Sequence, residues 1–187
     1  MYQQILETEI KILWVSYPTL VRKLNKLWAS KIGTVYIRDR YVDTADKSIK
    51  KQWKSARLRS YGGEKFEITV KTKQMDPEYK VCKEENITVP NLAAGKLMLQ
   101  IMWCQCRRYK EKIRVTYKIW QTMFDIDFYD DMPPVLEIEW ENNEINHYIR
   151  KLRLQDHQQV TRGAKKLFKH YGKKVSKMRM PVGEICM

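Results

Sequence analysis

The chain has 187 residues, of which 43% are hydrophobic and 11% aromatic, a composition that excludes a disordered protein and fits one domain with a substantial core. Lys and Arg number 36 against 22 Asp and Glu, and the net charge of +14 predicts an anionic partner: nucleic acid, a membrane surface or a phosphorylated small molecule. No segment has the apolar length of a membrane span or resembles a signal peptide, so we expect a cytoplasmic protein that does not enter a membrane.

The predicted elements are mostly strands. The first contains Glu7-Thr8-Glu9-Ile10-Lys11, and a helix begins near Pro18, a residue that suits a first helical turn. The Gly62-Gly63 turn joins two strands in a hairpin. Further strands are predicted near 35–44, 83–89, 110–117, 124–129 and 135–140, with short helical stretches after Asn91 and in the last part of the chain. About eight strands with few helices can close a small antiparallel barrel.

Nearly every predicted strand has one ionised face and one apolar face. In the first strand, Glu7, Glu9 and Lys11 project to one side, and Ile10 and Ile12 project to the other. A solvated outer face would explain any one such strand. The pattern recurs, however, and the ionised faces of the later strands carry Arg57, Arg59, Lys71, Glu84, Lys112, Arg114, Asp125, Asp127, Glu137 and Glu139.

The charges on these faces are sorted by sign. Carboxylates are paired in the segments ETE, DID and EIE, and cations are paired in RLR and KIR. Because like charges in one strand repel, ions of opposite sign between them would explain the arrangement. Paired carboxylates can hold a divalent cation through oxygen ligands, and Arg and Lys suit phosphate oxygens. A divalent metal with a polyphosphate satisfies both groups if the ionised faces line the inside of a barrel.

Seven motifs occur in an order that resembles a known family. They begin with the ExExK motif at Glu7, Glu9 and Lys11 and include Leu136-Glu137-Ile138-Glu139-Trp140. Between them come Asp39-x-Tyr41-x-Asp43-Thr44, Arg57-Leu58-Arg59, Thr69-Val70-Lys71, Lys112-Ile113-Arg114 and Phe124-Asp125-Ile126-Asp127. Over residues 5–171 the chain thus resembles the CYTH superfamily, the triphosphate tunnel metalloenzymes, which include class IV adenylate cyclases and thiamine triphosphatase-like proteins.

The resemblance implies an α+β fold: an eight-stranded antiparallel β-barrel tunnel with a charged interior and helices packed on the outside. It implies a tunnel domain over residues 1–172, and the Lys and Arg residues that follow predict a basic C-terminal tail at 173–187. A monomer or a homodimer fits this architecture.

The resemblance also implies the roles of the site residues. The catalytic carboxylates are expected to be Glu7, Glu9, Glu137 and Glu139, which with Asp127 are also the expected ligands of Mg²⁺ or Mn²⁺. The residues expected to bind the triphosphate are Lys11, Arg57, Arg59, Lys71, Lys112, Arg114 and Lys165 from the C-terminal segment.

Four functions are compatible with these motifs. The first is a metal-dependent triphosphatase that hydrolyses inorganic triphosphate or an organic or nucleoside triphosphate. The second is a class IV-type adenylate cyclase, which the segment Pro134-x-Leu136-Glu137-Ile138-Glu139 resembles, although Met1-Tyr2 stand where that branch usually has His-Phe. The third is an RNA 5′-triphosphatase, for which Arg107-Arg108 and the basic charge fit an RNA end. The fourth is a non-catalytic module that binds triphosphate or nucleic acid.

Overall fold

The chain forms nine strands and four helices in the computed structural model, which describes residues 2–76, 78–130, 132–161 and 171–172. The strands are β1 (Tyr2–Ile12), β2 (Ser30–Asp43), β3 (Lys54–Tyr61), β4 (Lys65–Lys73), β5 (Lys80–Val89), β6 (Gln105–Ile119), β7 (Thr122–Phe128), β8 (Val135–Glu139) and β9 (Gln159–Val160). The helices are α1 (Tyr17–Lys26), α2 (Ser48–Lys51), α3 (Leu92–Ile101) and α4 (Asn142–Lys151).

Eight of the strands close into a barrel. They are antiparallel neighbours in the order β5-β4-β3-β2-β6-β7-β8-β1, and β1 pairs again with β5, from Tyr2 opposite Ile87 to Glu9 opposite Lys80. The short β9 pairs with Lys11 and Ile12 at the end of β1. The predicted eight-stranded antiparallel barrel with external helices is therefore confirmed.

The apolar core lies between the barrel wall and the helices. The largest cluster joins Ile10 and Ile12 of β1 and Ile126 of β7 to Leu24 of α1 and Ile149 of α4. A second cluster packs Leu58 of β3 and Val89 of β5 against Leu99 of α3. Because alternate side chains of a strand point to opposite faces, this outward apolar face leaves the ionised face for the inside of the barrel.

Local sequence signals begin the helices. Pro18 lies in the first turn of α1, whose residues Leu20 and Leu24 are buried one turn apart. At the start of α3, the Asn91 side chain accepts a hydrogen bond of 2.8 Å from the Ala94 backbone N–H. The sequence did not predict α2 or β9.

Some predicted features lie outside the described residues. They are Lys165, most of the basic segment after Thr161, and the tail at 173–187. In the described part of the chain, no helix is long and apolar enough to cross a membrane.

Candidate metal and phosphate site

Ionised side chains from strands that are not neighbours meet inside the barrel. Lys71 of β4 bonds to Glu7 of β1, although β5 lies between these strands, and Arg114 of β6 lies 2.5 Å from Glu137 of β8, with β7 between them. Such pairs form because these strands turn the side chains to the same face, which barrel closure makes the interior. The sequence-predicted faces therefore converge, and each site residue predicted in the described part of the chain lies on this interior surface.

A first group of carboxylates combines β1 and β8. Oxygens of Glu7, Glu9 and Glu139 lie within 4.8 Å of one another, because Glu9 and Glu139 are direct partners in the antiparallel ladder. Glu9 is also bonded to Lys80 and lies 2.6 Å from Lys11. Burial alone would raise the pKa of Glu9, but these two ammonium groups outweigh it and hold the pKa well below its usual value.

A second group of carboxylates shares Glu139 with the first. Oxygens of Asp125, Glu137 and Glu139 lie within 4.8 Å of one another, so Glu139 joins two acidic clusters. Burial, together with the negative charges of Glu7, Asp125 and Glu9, raises the pKa of Glu139 well above its usual value. In the described part of the chain, no ion pair joins Glu139 to a Lys or Arg.

These two groups have the donor chemistry of a divalent metal site. Every donor is a carboxylate oxygen, the ligand type that Mg²⁺ and Mn²⁺ prefer. Glu139 forms no ion pair in the described structure and lies close to three other carboxylates, whose negative charge outweighs that of Arg114 and would be compensated by a divalent ion. The predicted ligands Glu7, Glu9, Glu137 and Glu139 therefore fit a metal, whereas the predicted ligand Asp127 belongs to neither group.

Arg57 and Arg59 of β3 are held by a fully buried carboxylate. Asp39 of β2 accepts two hydrogen bonds from Arg59, at 2.6 and 2.9 Å, and lies 3.9 Å from Arg57. Burial alone would raise the pKa of Asp39, but Arg59 and Arg57 outweigh it and lower the pKa well below its usual value. The carboxylate thus fixes the guanidinium group of Arg59 at the inner wall and places a negative charge beside that of Arg57.

Glu84 of β5 holds two of the predicted substrate-binding residues. It lies 2.5 Å from Lys71 and 3.7 Å from Arg57. Burial opposes ionisation of Glu84, but Lys71 and Arg57 lower its pKa to about 2. Its observed partners are therefore cations, and Glu84 is part of neither carboxylate group.

On the opposite wall, Lys112 and Arg114 of β6 are anchored by β7. Asp127 accepts a hydrogen bond from Lys112 and two from Arg114, at 2.7 and 2.9 Å, and Arg114 also reaches Asp125. Burial and the charge of Arg114 lower the pKa of Lys112 to about 8. In the described structure, the carboxylate of Asp127 thus forms ion pairs with Lys112 and Arg114 and positions both side chains.

The structure adds residues that sequence reasoning did not assign to the site. Lys80 bonds to Glu9, and Lys110 is buried beside Lys112 on the same face of β6. The alternation Lys110, Lys112, Arg114 was a signal for Lys110, and the position of Asp39 in a recognised motif was a signal for that residue. Lys80 carried no such signal, because it lies before the predicted start of its strand.

The comparisons agree with this architecture. The model of the CYTH domain matches residues 6–172 of the chain. A candidate adenylate cyclase from Vibrio parahaemolyticus is similar in structure, with a TM-score of 0.71, 18% identity and coverage of 89% of this chain and 99% of that one. A conserved hypothetical protein from Pyrococcus furiosus gives a TM-score of 0.71 at 16% identity, over 86% of this chain and 99% of that one.

A third similar structure comes from Hippeastrum. It is a candidate adenylyl cyclase described as having a dominant triphosphatase activity, and it shares 13% identity at a TM-score of 0.64, over 96% of this chain and 99% of that one. No curated protein matches the sequence. At these identities the solved structures support the fold, and the domain model supplies the family. The chain belongs to the CYTH family.

Proposed function

We propose that the protein is a divalent-metal-dependent triphosphatase that hydrolyses inorganic triphosphate or an organic or nucleoside triphosphate inside the barrel. The observation that carries the proposal is that two carboxylate groups sharing Glu139 lie in the same enclosed interior as cations from β1, β3, β4 and β6. The two halves of this site have opposite ligand preferences, and a metal-bound polyphosphate satisfies both.

Each group of residues has a distinct role in this proposal. Glu7, Glu9, Glu137 and Glu139 would hold Mg²⁺ or Mn²⁺, which when bound would polarise phosphoryl oxygens and lower the pKa of a water molecule. The cations that would bind the phosphate oxygens and stabilise the charge that develops on them are Lys11, Arg57, Arg59, Lys71, Lys112 and Arg114. Fixed charges suffice for phosphoryl transfer, so the site needs no nucleophilic side chain.

Adenylate cyclase is the second candidate. It is favoured by the description of the Vibrio parahaemolyticus structure, whereas the description of the Hippeastrum structure favours hydrolysis. The two reactions need the same metal and cations and differ in the attacking oxygen, which is a water for hydrolysis and a ribose hydroxyl for cyclisation. Products therefore separate the two candidates.

The test uses purified protein freed of metal with a chelator. Inorganic triphosphate, ATP and triphosphate-ended RNA are supplied separately, with Mg²⁺, with Mn²⁺ or with neither. We expect metal-dependent release of orthophosphate. Cyclic AMP with pyrophosphate would instead identify a cyclase. Product from RNA but from neither of the other substrates would identify an RNA 5′-triphosphatase. Binding without any product would identify a non-catalytic module.

The Glu139→Gln substitution is the sharpest test of the residues. Glu139 joins both carboxylate groups without an ion pair in the described structure, so its loss removes a metal ligand while leaving the Lys and Arg partners in place. We expect turnover to fall at least about 100-fold, the scale seen when an electrostatic contributor to a transition state is removed. Glu141→Gln is the matched control, because Glu141 is exposed at the start of α4. Equal activity of both variants would remove Glu139 from the site.

A further inference from the structure

Five of the six tryptophans have a left-handed backbone conformation. The φ angles are 62° at Trp14, 60° at Trp28, 59° at Trp53, 59° at Trp103 and 53° at Trp120. Among the other non-glycine residues that the structure describes, only Lys47 and Arg153 have a positive φ. This region of backbone space is strained for residues with a Cβ atom and is rarer still for bulky ones, whereas glycine enters it freely.

Trp28 stands at a helix end where glycine is the usual residue. It is the second residue after α1, and its N–H donates to the Asn25 carbonyl at 3.1 Å while the N–H of Ala29 donates to Leu24 at 3.1 Å. This pair of hydrogen bonds is the Schellman motif, in which the residue at the position of Trp28 must be left-handed.

Trp103 repeats the same arrangement after α3. Its N–H donates to the Gln100 carbonyl at 2.9 Å, and the N–H of Cys104 donates to Leu99 at 2.9 Å. Two unrelated helices thus end with the same motif and the same uncommon residue.

Trp53 and Trp120 lie in two further turns of the kind that glycine favours. Trp53 is the second residue after α2, and its N–H donates to the Lys50 carbonyl at 3.1 Å. Trp120 is the first residue of the two-residue loop between β6 and β7, and only this first position of the loop has a positive φ. A type II′ hairpin turn has this pattern and takes glycine at its first position.

Packing of the indole rings does not compensate for the backbone strain. Trp28, Trp103 and Trp120 are 91%, 84% and 89% exposed, and Trp53 is also largely exposed. Trp14 has the clearest ring contact of the five, with its centroid 4.5 Å from that of Tyr171. Four of these side chains therefore add exposed apolar surface at turns where a missing side chain would fit better.

We propose that the natural protein carries glycine at all six tryptophan positions, because the codon translated here as tryptophan specifies glycine in the source organism. UGA is a codon of this kind, since it encodes tryptophan in one variant of the genetic code and glycine in another. If one codon is read as tryptophan in place of glycine, tryptophan is expected at every turn where the protein has that glycine codon. This explains why the same residue type occupies several unrelated turns that favour glycine. Trp140 has no positive φ, so only the codon, and not the local geometry, assigns glycine there.

The decisive experiment is peptide mass spectrometry of the protein purified from the cells that carry the gene, together with the codons at the six positions. We expect glycine in every one of the six peptides, including the one that contains position 140, and UGA at all six codons. Tryptophan in the peptides, or UGG codons at these positions, would overturn the proposal.

The folded state provides an independent test. A variant with Trp→Gly at positions 14, 28, 53, 103 and 120 is compared with the chain as translated. Relief of strain at five sites is expected to raise Tm by roughly 10 °C, and folding of the variant alone would support the proposal equally. The single variant Trp140→Gly is the control and should not raise Tm, because the backbone there is not left-handed. An unchanged or lower Tm of the five-fold variant would contradict the proposal.

Discussion

Asp39 is a fully buried carboxylate whose partners are cations of the neighbouring strands. It binds Arg59 through two hydrogen bonds and lies near Arg57, and both arginines face the barrel interior. A carboxylate at this position keeps two like-charged guanidinium groups side by side. Asp39 is therefore a positioning residue for the proposed phosphate-binding cations.

We predict that Asp39→Asn lowers the free energy of unfolding at pH 7 by about 3 kcal/mol, because it leaves the buried guanidinium group of Arg59 without the carboxylate that pairs with it. The pKa of Asp39 is lowered in the folded state, so its contribution is complete above the unfolded pKa of about 4 and is lost as the pH falls below it. Urea unfolding at pH 7 and at several lower pH values should show the difference narrowing below about pH 4. A constant difference would show that ionisation of Asp39 is not its source.

Lys110 is also buried, but its surroundings disfavour its charged form, whereas those of Asp39 favour the charged form. Burial lowers the pKa of Lys110 to about 8, and this outweighs the nearby carboxylates. The charged groups that act on it from the surrounding strands are Lys11, Asp39, Asp127 and Glu137. In the described part of the chain, no carboxylate forms an ion pair with it.

We predict that Lys110→Met raises the free energy of unfolding at pH 7 by about 2 kcal/mol, since it removes a charge that is costly to bury. The unfolded lysine binds its proton up to about pH 10.4, so the gain should disappear as the pH rises from 8 to about 10. Denaturant unfolding across this range measures the effect. Loss of stability at pH 7 would show that the ammonium group stabilises the barrel.

Helix α3 sets the position of β3 from the outside of the barrel. A Cβ atom at Gly95 would lie 2.7 Å from Cδ1 of Leu58 and 3.1 Å from Cγ2 of Val89. The side chain of Leu58 thus packs tightly between α3 and the barrel wall, while its neighbours Arg57 and Arg59 project into the barrel. The packing of α3 on the outside of β3 therefore helps to set the position of the arginine residues on the inner face of the same strand.

We predict that Gly95→Ala lowers the free energy of unfolding by about 1–3 kcal/mol, because the added methyl group overpacks this contact despite the higher helix propensity of alanine. Gly33→Ala is the matched control: no atom lies within 4 Å of a Cβ at Gly33, so its effect should stay within about 0.5 kcal/mol. Thermal or urea unfolding of the two variants checks the difference. Equal effects would mean that α3 can move away from the wall.

At the scale of the whole molecule, alternation within strands predicted which residues share the ionised face, and the family resemblance implied the eight-stranded barrel that this face lines. Long-range register was not predictable: Lys80 and Glu9 meet although they are 71 residues apart, because β1 and β5 close the ring. The family resemblance implies that Asp127 is a metal ligand, and this role stays a prediction; that its carboxylate is bonded to Lys112 and Arg114 could be seen only in three dimensions. Alternation with a period of two residues predicts the face of the sheet on which a side chain lies. It does not predict which side chains of other strands it contacts, because those contacts depend on how the barrel closes.

The closed interior also couples the two halves of the proposed site. The carboxylates proposed to hold metal are bonded to cations proposed to hold phosphate, as in the pairs Lys71–Glu7 and Lys11–Glu137. A metal at the carboxylates would release these ammonium groups for phosphate, and phosphate would in turn release the carboxylates for metal. Because coupling between two ligands is reciprocal, each should bind more tightly in the presence of the other.

We therefore predict that triphosphate binding tightens at least about tenfold when Mg²⁺ or Mn²⁺ is present, within the usual range for coupled sites. Glu139→Gln should weaken this coupling, whereas Glu141→Gln should preserve it. Calorimetric titration of a non-hydrolysable triphosphate analogue at constant ionic strength, with and without metal, measures the coupling directly and excludes general screening of the +14 charge. Metal also changes the charge of free triphosphate, so the comparison between the two variants, which share that effect, decides the result. Identical coupling in both variants would show that Glu139 does not hold the metal and would contradict the prediction.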